Sequence, residues 1–187
     1  ENVEKPMDIF GPEWVNHAEK LQKNWNETIT NEDTVVIAGD ISWGLRLGQA
    51  MADLEWVHNL PGTKVLIKGN HDLWWTSIKT LTKLYEDIIF IQNHAYISEK
   101  ENYAICGTRG WICPGTVGYD EHDNKIYERE QIRLKFSLEE AKNSGIQNIM
   151  VALHYPPTND KMQTSGFTRL LSEYGVKTCV YGHLHGN

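Results

Sequence analysis

The sequence predicts an α/β fold built on a largely parallel sheet. Two observations carry that prediction. Short β-branched runs alternate with amphipathic segments in the first half of the chain, which is the pattern of strands joined by crossover helices. Four of the strand-like runs also end in a polar cluster: Asp40, Asn70-His71-Asp72, His154, and His183 with His185. Ligands of open α/β sheets sit beyond the carboxyl ends of the strands, so four polar clusters at such ends predict an active site.

Each element has its own signal. Glu1 to Pro12 show no clean period, and Pro6, Gly11 and Pro12 make them loop-like. From Glu13 to Glu27, Trp14, Val15, Ala18, Leu21 and Trp25 recur at helical spacing. Thr34 to Ala38 is a short β-branched run that stops at Gly39-Asp40, the pattern of a buried parallel strand. A helix fits Gly48 to Asn59, stopped by Pro61-Gly62, and Lys64 to Lys68 is a second strand. Thr76 to Tyr85 predicts a helix. Ile88 to Ile91, Ala95 to Ser98 and Tyr103 to Cys106 predict strands. Pro114, Gly115, Gly118 and Asp120 to Asn124 punctuate the chain before a long charged helix over Ile126 to Asn143. Ile149 to Leu153 is a strand, Phe167 to Tyr174 a short helix, and Thr178 to Tyr181 the last strand.

The 187 residues suit one domain, and 40% hydrophobic with 23% charged residues is ordinary for a globular chain. A formal net charge of -7 without a basic tract argues against nucleic acid as a partner. No stretch is apolar and long enough to span a membrane. Cys106, Cys113 and Cys179 are an odd set that suggests free thiols rather than a disulfide scaffold, so a reducing, cytoplasmic setting is expected.

Asp, Asn and imidazole are oxygen and nitrogen donors suited to divalent ions such as Mn, Fe, Zn or Co, with Mn favoured here. No thiolate takes part, which argues against a structural zinc site. A carboxylate can bridge two ions, and two ions about 3.5–4 Å apart clamp an in-line phosphoryl displacement in which water acidified toward hydroxide attacks phosphorus. Asn70 and His71 are adjacent, so if Asn70 turns to a metal, His71 is free to face the substrate. Asp72 would then fix the His71 ring and keep it protonated as a general acid. Arg109, in Gly107-Thr108-Arg109-Gly110-Trp111 after a strand, is a candidate fork for phosphate oxygens, with a solvated or structural salt bridge the larger expectation. Trp43 follows Asp40 closely enough to wall the cleft, with core packing the larger expectation for it and for Trp74 and Trp75. His17, His58, His94 and His122 are expected to stay out of the site. The charged run from Glu128 to Glu140 is expected to be a solvated helix face.

Gly39-Asp40, Gly69-Asn70-His71-Asp72, His154 and Gly182-His183-Leu184-His185 stand in the order found in the calcineurin-like metallophosphoesterase superfamily, and the chain resembles that superfamily over nearly its whole length. The resemblance implies a four-layer α/β/β/α sandwich with two mixed sheets, to the second of which the strands from Ile88 to Cys106 and from Val151 to Tyr181 would contribute. It implies that Asp40 bridges two divalent ions, that Asn70, His154 and His183 complete one site, and that His185 serves the other. Asn70 and Arg109 would also contact the substrate, His71 would be the proton donor, and Asp72 would orient it. The implied activity is hydrolysis of small phosphate esters, phosphomonoesters first and small diesters second. A non-catalytic scaffold on the same fold is the competing class. The superfamily's Asp-X-His element is missing, because Val15 stands two residues before His17 and Phe10 two after Asp8. The resemblance therefore implies a single domain over residues 1–187 that lacks natural sequence at both ends.

Overall fold

The computed structural model describes residue 7 and residues 11–184. The loop expected over the first twelve residues therefore falls mostly outside the described part. In chain order the elements are α1 (His17–Thr28), β1 (Thr34–Ile37), α2 (Leu47–His58), β2 (Thr63–Ile67), α3 (Ile78–Leu81), β3 (Ile88–Ile91), β4 (Tyr96–Ser98), β5 (Tyr103–Thr108), α4 (Glu121–Asn143), β6 (Asn148–Leu153), α5 (Gly166–Glu173) and β7 (Thr178–Tyr181). They form two sheets. Strands β1-β2-β3 are parallel throughout, and β4-β5-β6-β7 is mixed, with β4 antiparallel to β5. The run Ile88 to Ile91 joins the first sheet rather than the second.

The period of two along each strand sorts side chains into three apolar layers, which makes a four-layer sandwich. Val65, Ile67 and Ile91 of the first sheet face Ile105 and Ala152 of the second. The intervening Leu66 faces the opposite way, toward Ala50, Leu54 and Val57 of α2. On the far side, Ala104, Cys106, Val151 and Leu153 pack against Leu134, Leu138 and Ala141 of α4 and Phe167 of α5. Each such side chain contributes about 1.5–3 kcal/mol on burial. The result is a rigid platform whose parallel strands all end on one side.

Three helices start or stop differently from the expected spans. Residues Pro12–Trp14 form a short 3-10 turn, so α1 begins only at His17. α4 begins at Glu121, because Asp120 accepts from the Asp123 N–H at 2.9 Å while Asp123 accepts from the Asp120 N–H at 3.1 Å. That reciprocal cap turns an apparent loop signal into a helix start. α3 is a single turn, because the chain after it closes through 3-10-type bonds from Lys83 N–H to Thr80 O and from Leu84 N–H to Leu81 O. Trp74 and Trp75 are 2% and 7% exposed and belong to the core beside α2, as the sequence favoured.

Candidate metal centre

The first sheet supplies two loops to the site and the second sheet two more. After β1 the chain turns sharply at Gly39 (φ 96°) and Asp40 (φ 59°), both in the left-handed region. Aspartate tolerates that conformation better than most residues, and its own N–H is held by Asp72. The turn also packs tightly. A Cβ on Gly39 would lie 2.6 Å from the Gly69 nitrogen and 2.8 Å from His154 Nδ1, and one on Gly69 would lie 2.0 Å from Asp40 Oδ1. Glycine is required at both positions because three loops meet there. His183 also has a positive φ, 67°. Such strain gathers at sites where the surroundings hold it in place.

Asp72 is fully buried, and its carboxylate knits these loops together. It accepts N–H bonds from Asp40 (2.8 Å), Ile41 (2.9 Å), Ser42 (3.2 Å), Gly69 (2.7 Å) and the Trp74 indole (3.0 Å). None of these donors is the His71 ring, so the geometry gives Asp72 a loop-positioning task in place of the expected grip on that imidazole. Burial pushes the Asp72 carboxyl up, and the N–H bonds from Gly69, Ser42 and Asp40 oppose that shift. The His71 ring instead lies against Trp43, with centroids 4.0 Å apart and the rings tilted by 41°. The His71 backbone N–H donates to Asp40 Oδ1 at 2.9 Å, which ties its position to that carboxylate.

Four side chains converge beyond the strand ends. His154, 1% exposed, donates from Nδ1 to the Ala38 carbonyl at 2.8 Å. A carbonyl only accepts, so in the neutral ring the lone pair is on Nε2. That Nε2 lies 2.6 Å from Asn70 Oδ1, 3.2 Å from His183 Nδ1 and 3.5 Å from Asp40 Oδ2. Asn70 Oδ1 is also 2.9 Å from His183 Nδ1. Ligand atoms of Asp40, His154 and His183 all fall within 4.8 Å of one another. Imidazole nitrogens, an amide oxygen and a carboxylate oxygen gathered in this way match the donor set of a borderline divalent ion. The fold therefore holds a cluster capable of binding a metal. Among the described residues it is one such cluster; His185, expected to serve a second ion, lies outside them.

Tyr155 follows His154 directly and packs among the converging rings. Its ring lies 4.1 Å from that of His183, centroid to centroid, and 5.3 Å from that of His154. Arg109 is close behind it. Its carbonyl accepts the N–H groups of His154 and Tyr155 at 3.0 Å each. Its guanidinium lies over the Trp111 ring at 4.4 Å and 3.6 Å from Glu130. Burial lowers the Arg109 pKa, and Glu130 opposes that shift. Glu130 corrects the expected solvated face: it is fully buried, and Thr108 donates to it at 2.5 Å. A charged run at helical spacing does not reveal which carboxylate turns inward.

The profile of the calcineurin-like phosphoesterase family matches residues 12–187. The gene 66 protein of Mycobacterium phage L5 is 48% identical over 56 residues, 30% of this chain and 27% of that protein. The gene 66 protein of Mycobacterium phage D29 is 38% identical over 90 residues, 46% of this chain and 43% of that protein. The chain thus matches less than half the length of these curated relatives. A protein of unknown function from Aquifex aeolicus, AQ665, superposes with a TM-score of 0.45 at 16% identity, over 96% of this chain and 83% of that one, which is too distant to bear on function. No helix among the described residues is long and apolar enough to cross a membrane. A family profile that spans the two sheets, the loops between them and all four converging side chains places the chain in the calcineurin-like phosphoesterase family.

Proposed function

We propose that this chain is a metal-dependent hydrolase of small phosphate esters, with phosphomonoesters as the first substrate class. One observation carries the proposal: ligand atoms of Asp40, His154 and His183 gather within 4.8 Å of one another, and Asn70 Oδ1 lies 2.6 Å from His154 Nε2 and 2.9 Å from His183 Nδ1. These four would hold one divalent ion, Mn by preference, and Asp40 with His185 would contribute to a second. A divalent ion there supplies Lewis acidity and acidifies water. His154 keeps its lone pair on Nε2 through the Ala38 carbonyl. Asp72 fixes the loops that carry Asp40 and Asn70. His71, lying against Trp43 and anchored to Asp40 through its backbone, is the residue to hold a proton for the leaving oxygen. Asn70 would also touch the substrate. The cysteines are unpaired, in keeping with a reducing, cytoplasmic setting as part of the same proposal.

The test uses the natural full-length protein with Mn, a chromogenic phosphomonoester and the matching diester, and His71→Ala alongside. Metal-dependent turnover that drops about 10²–10⁴-fold in the variant, with metal affinity retained, is the expected result. The monoester-to-diester ratio then fixes the substrate class. Metal binding without turnover of either ester would overturn the hydrolase reading in favour of a scaffold, and failure to bind metal would overturn the ligand set.

A further inference from the structure

Glu130 carries a single negative charge and is fully buried, yet one of its oxygens, Oε1, faces three guanidinium groups. Arg133 lies at 2.7 Å, Arg129 at 3.4 Å and Arg109 at 3.6 Å. Its other oxygen takes the Thr108 hydroxyl. Guanidinium groups stay charged, so the cluster has a strong positive excess in a chain whose net charge is -7. The buried Arg109 Nε has no hydrogen-bond partner among the described residues. Crowded like charges and an unmatched buried donor both cost stability unless an anion shares the space. The cluster also sits beside the metal centre. Arg109 lies over Trp111, Trp111 lies 5.0 Å from Tyr155, and Tyr155 lies against His183. The Trp111 and Tyr155 rings thus link Arg109 to His183 in a continuous row of contacts.

We infer that Arg109, Arg129 and Arg133 form an anion subsite for a second phosphoryl group, so that the preferred substrates are esters carrying at least two phosphates. Planar guanidinium forks match phosphate oxygens in pairs, and three forks suit a dianionic group better than a carboxylate. This inference rests on the phosphoesterase reading for the substrate but not for the anion binding itself, and the two can fail separately.

The experiment is calorimetric titration of the metal-stripped full-length protein with inorganic pyrophosphate. Metal-stripped acceptor atoms repel this probe, so binding reports the cationic cluster. Arg129→Gln, which removes the most exposed of the three guanidinium groups, and Arg133→Gln should each weaken binding about tenfold. Glu130→Gln should tighten it several-fold by removing the competing negative charge. Lys135→Gln, a neutral-for-charged change elsewhere on α4, should leave it unchanged. Affinity indifferent to both arginine variants, or weakened by Glu130→Gln in a folded protein, overturns the subsite and leaves the cluster as an internal ion-pair network. With metal restored, a KM about tenfold lower for a bisphosphorylated ester than for its monophosphorylated counterpart supports it. Turnover of simple esters without that preference and without pyrophosphate binding sinks the subsite alone. Pyrophosphate binding with no turnover of any ester sinks the hydrolase reading alone.

Discussion

The two ends of β2 solve one electrostatic problem in opposite ways. At the start of the strand, Lys64 is 1% exposed, and its ammonium donates to the His58 carbonyl at 3.2 Å, to the Leu60 carbonyl at 2.7 Å and to the Asp87 carboxylate. His58 Nδ1 meets the same carboxylate at 2.6 Å, on the wall of a cavity of about 480 Å³. Acceptors gather there around a cation that is part of the chain, and α2 ends with its last carbonyls satisfied. Past the other end of β2, Asn70 joins Asp40, His154 and His183, and no lysine among the described residues is bonded to Asp40, Asn70 or His154 there. A gathering of acceptors is a structural device when its cation is covalently attached and a binding site when the cation must come from solution. Burial and charge alone do not separate the two cases; the inventory of donors does.

The sharpest way to break that contrast is to spoil the acceptor end without touching the lysine end. Gly69→Ala would place a methyl group 2.0 Å from Asp40 Oδ1 and 2.3 Å from the Asp40 nitrogen, so both the carboxylate and the backbone that carries it would have to shift. We expect metal affinity to fall by more than about 100-fold, as loss of the groups that orient ligands commonly does, together with turnover. Asp72→Asn should act in the same direction for a different reason. An amide offers one oxygen where the carboxylate offers two, and it turns an NH2 toward N–H groups that need an acceptor. Isothermal titration with Mn measures both variants. Wild-type affinity in either one would mean that loop geometry does not set the ligand positions.

Much of this was legible from sequence because strands announce themselves by composition and their ends by a change to polar residues. Asp40, Asn70, His154 and His183 stood out for that reason, and the structure brings all four together. The part that was not legible has a common physical cause. Asp72 acts on backbone N–H groups some thirty residues earlier in the chain, and a backbone donor leaves no trace in residue identity. Glu130 looked like any other charge on a solvated helix until Thr108 and three arginines closed around it. Ile88 to Ile91 paired with the first sheet because β2 offered it a parallel neighbour, and strand composition is silent on partner choice. Lys64 was read only as the start of a strand, although it proved to be the cation for the end of α2.

Removing that internal cation should sharpen the contrast from the other side. Lys64→Met keeps the apolar stem and deletes the ammonium, leaving the His58 and Leu60 carbonyls without that donor and the Asp87 carboxylate with His58 alone. Because the Asp87 side chain is 30% exposed, water can rescue part of the loss. We expect a loss of about 2–3 kcal/mol in chemical denaturation, below the cost of stripping a fully buried pair. Metal affinity at the far end of the strand should stay within about twofold of wild type, since distant sites add independently. A stability loss that also abolishes metal binding would mean that the two ends are coupled through β2.

The smallest expected effect is a matter of sign. Burial alone would raise the Asp87 carboxyl, but the bonds from Lys64 and His58 outweigh it and hold the group below the usual carboxylate range. A folded pKa below the unfolded one means that the unfolded chain binds more protons in the window between them. The stability due to Asp87 is therefore fully present above the ordinary carboxylate value and drains away as the pH falls through the folded one. Urea midpoints taken from roughly pH 6 down to pH 3 should fall in the wild type, and in Asp87→Asn the same slope should be shallower from a lower starting point. Equal slopes in the two proteins would show that other carboxylates carry the acid sensitivity, and that the lysine end holds Asp87 without preferring its charged form.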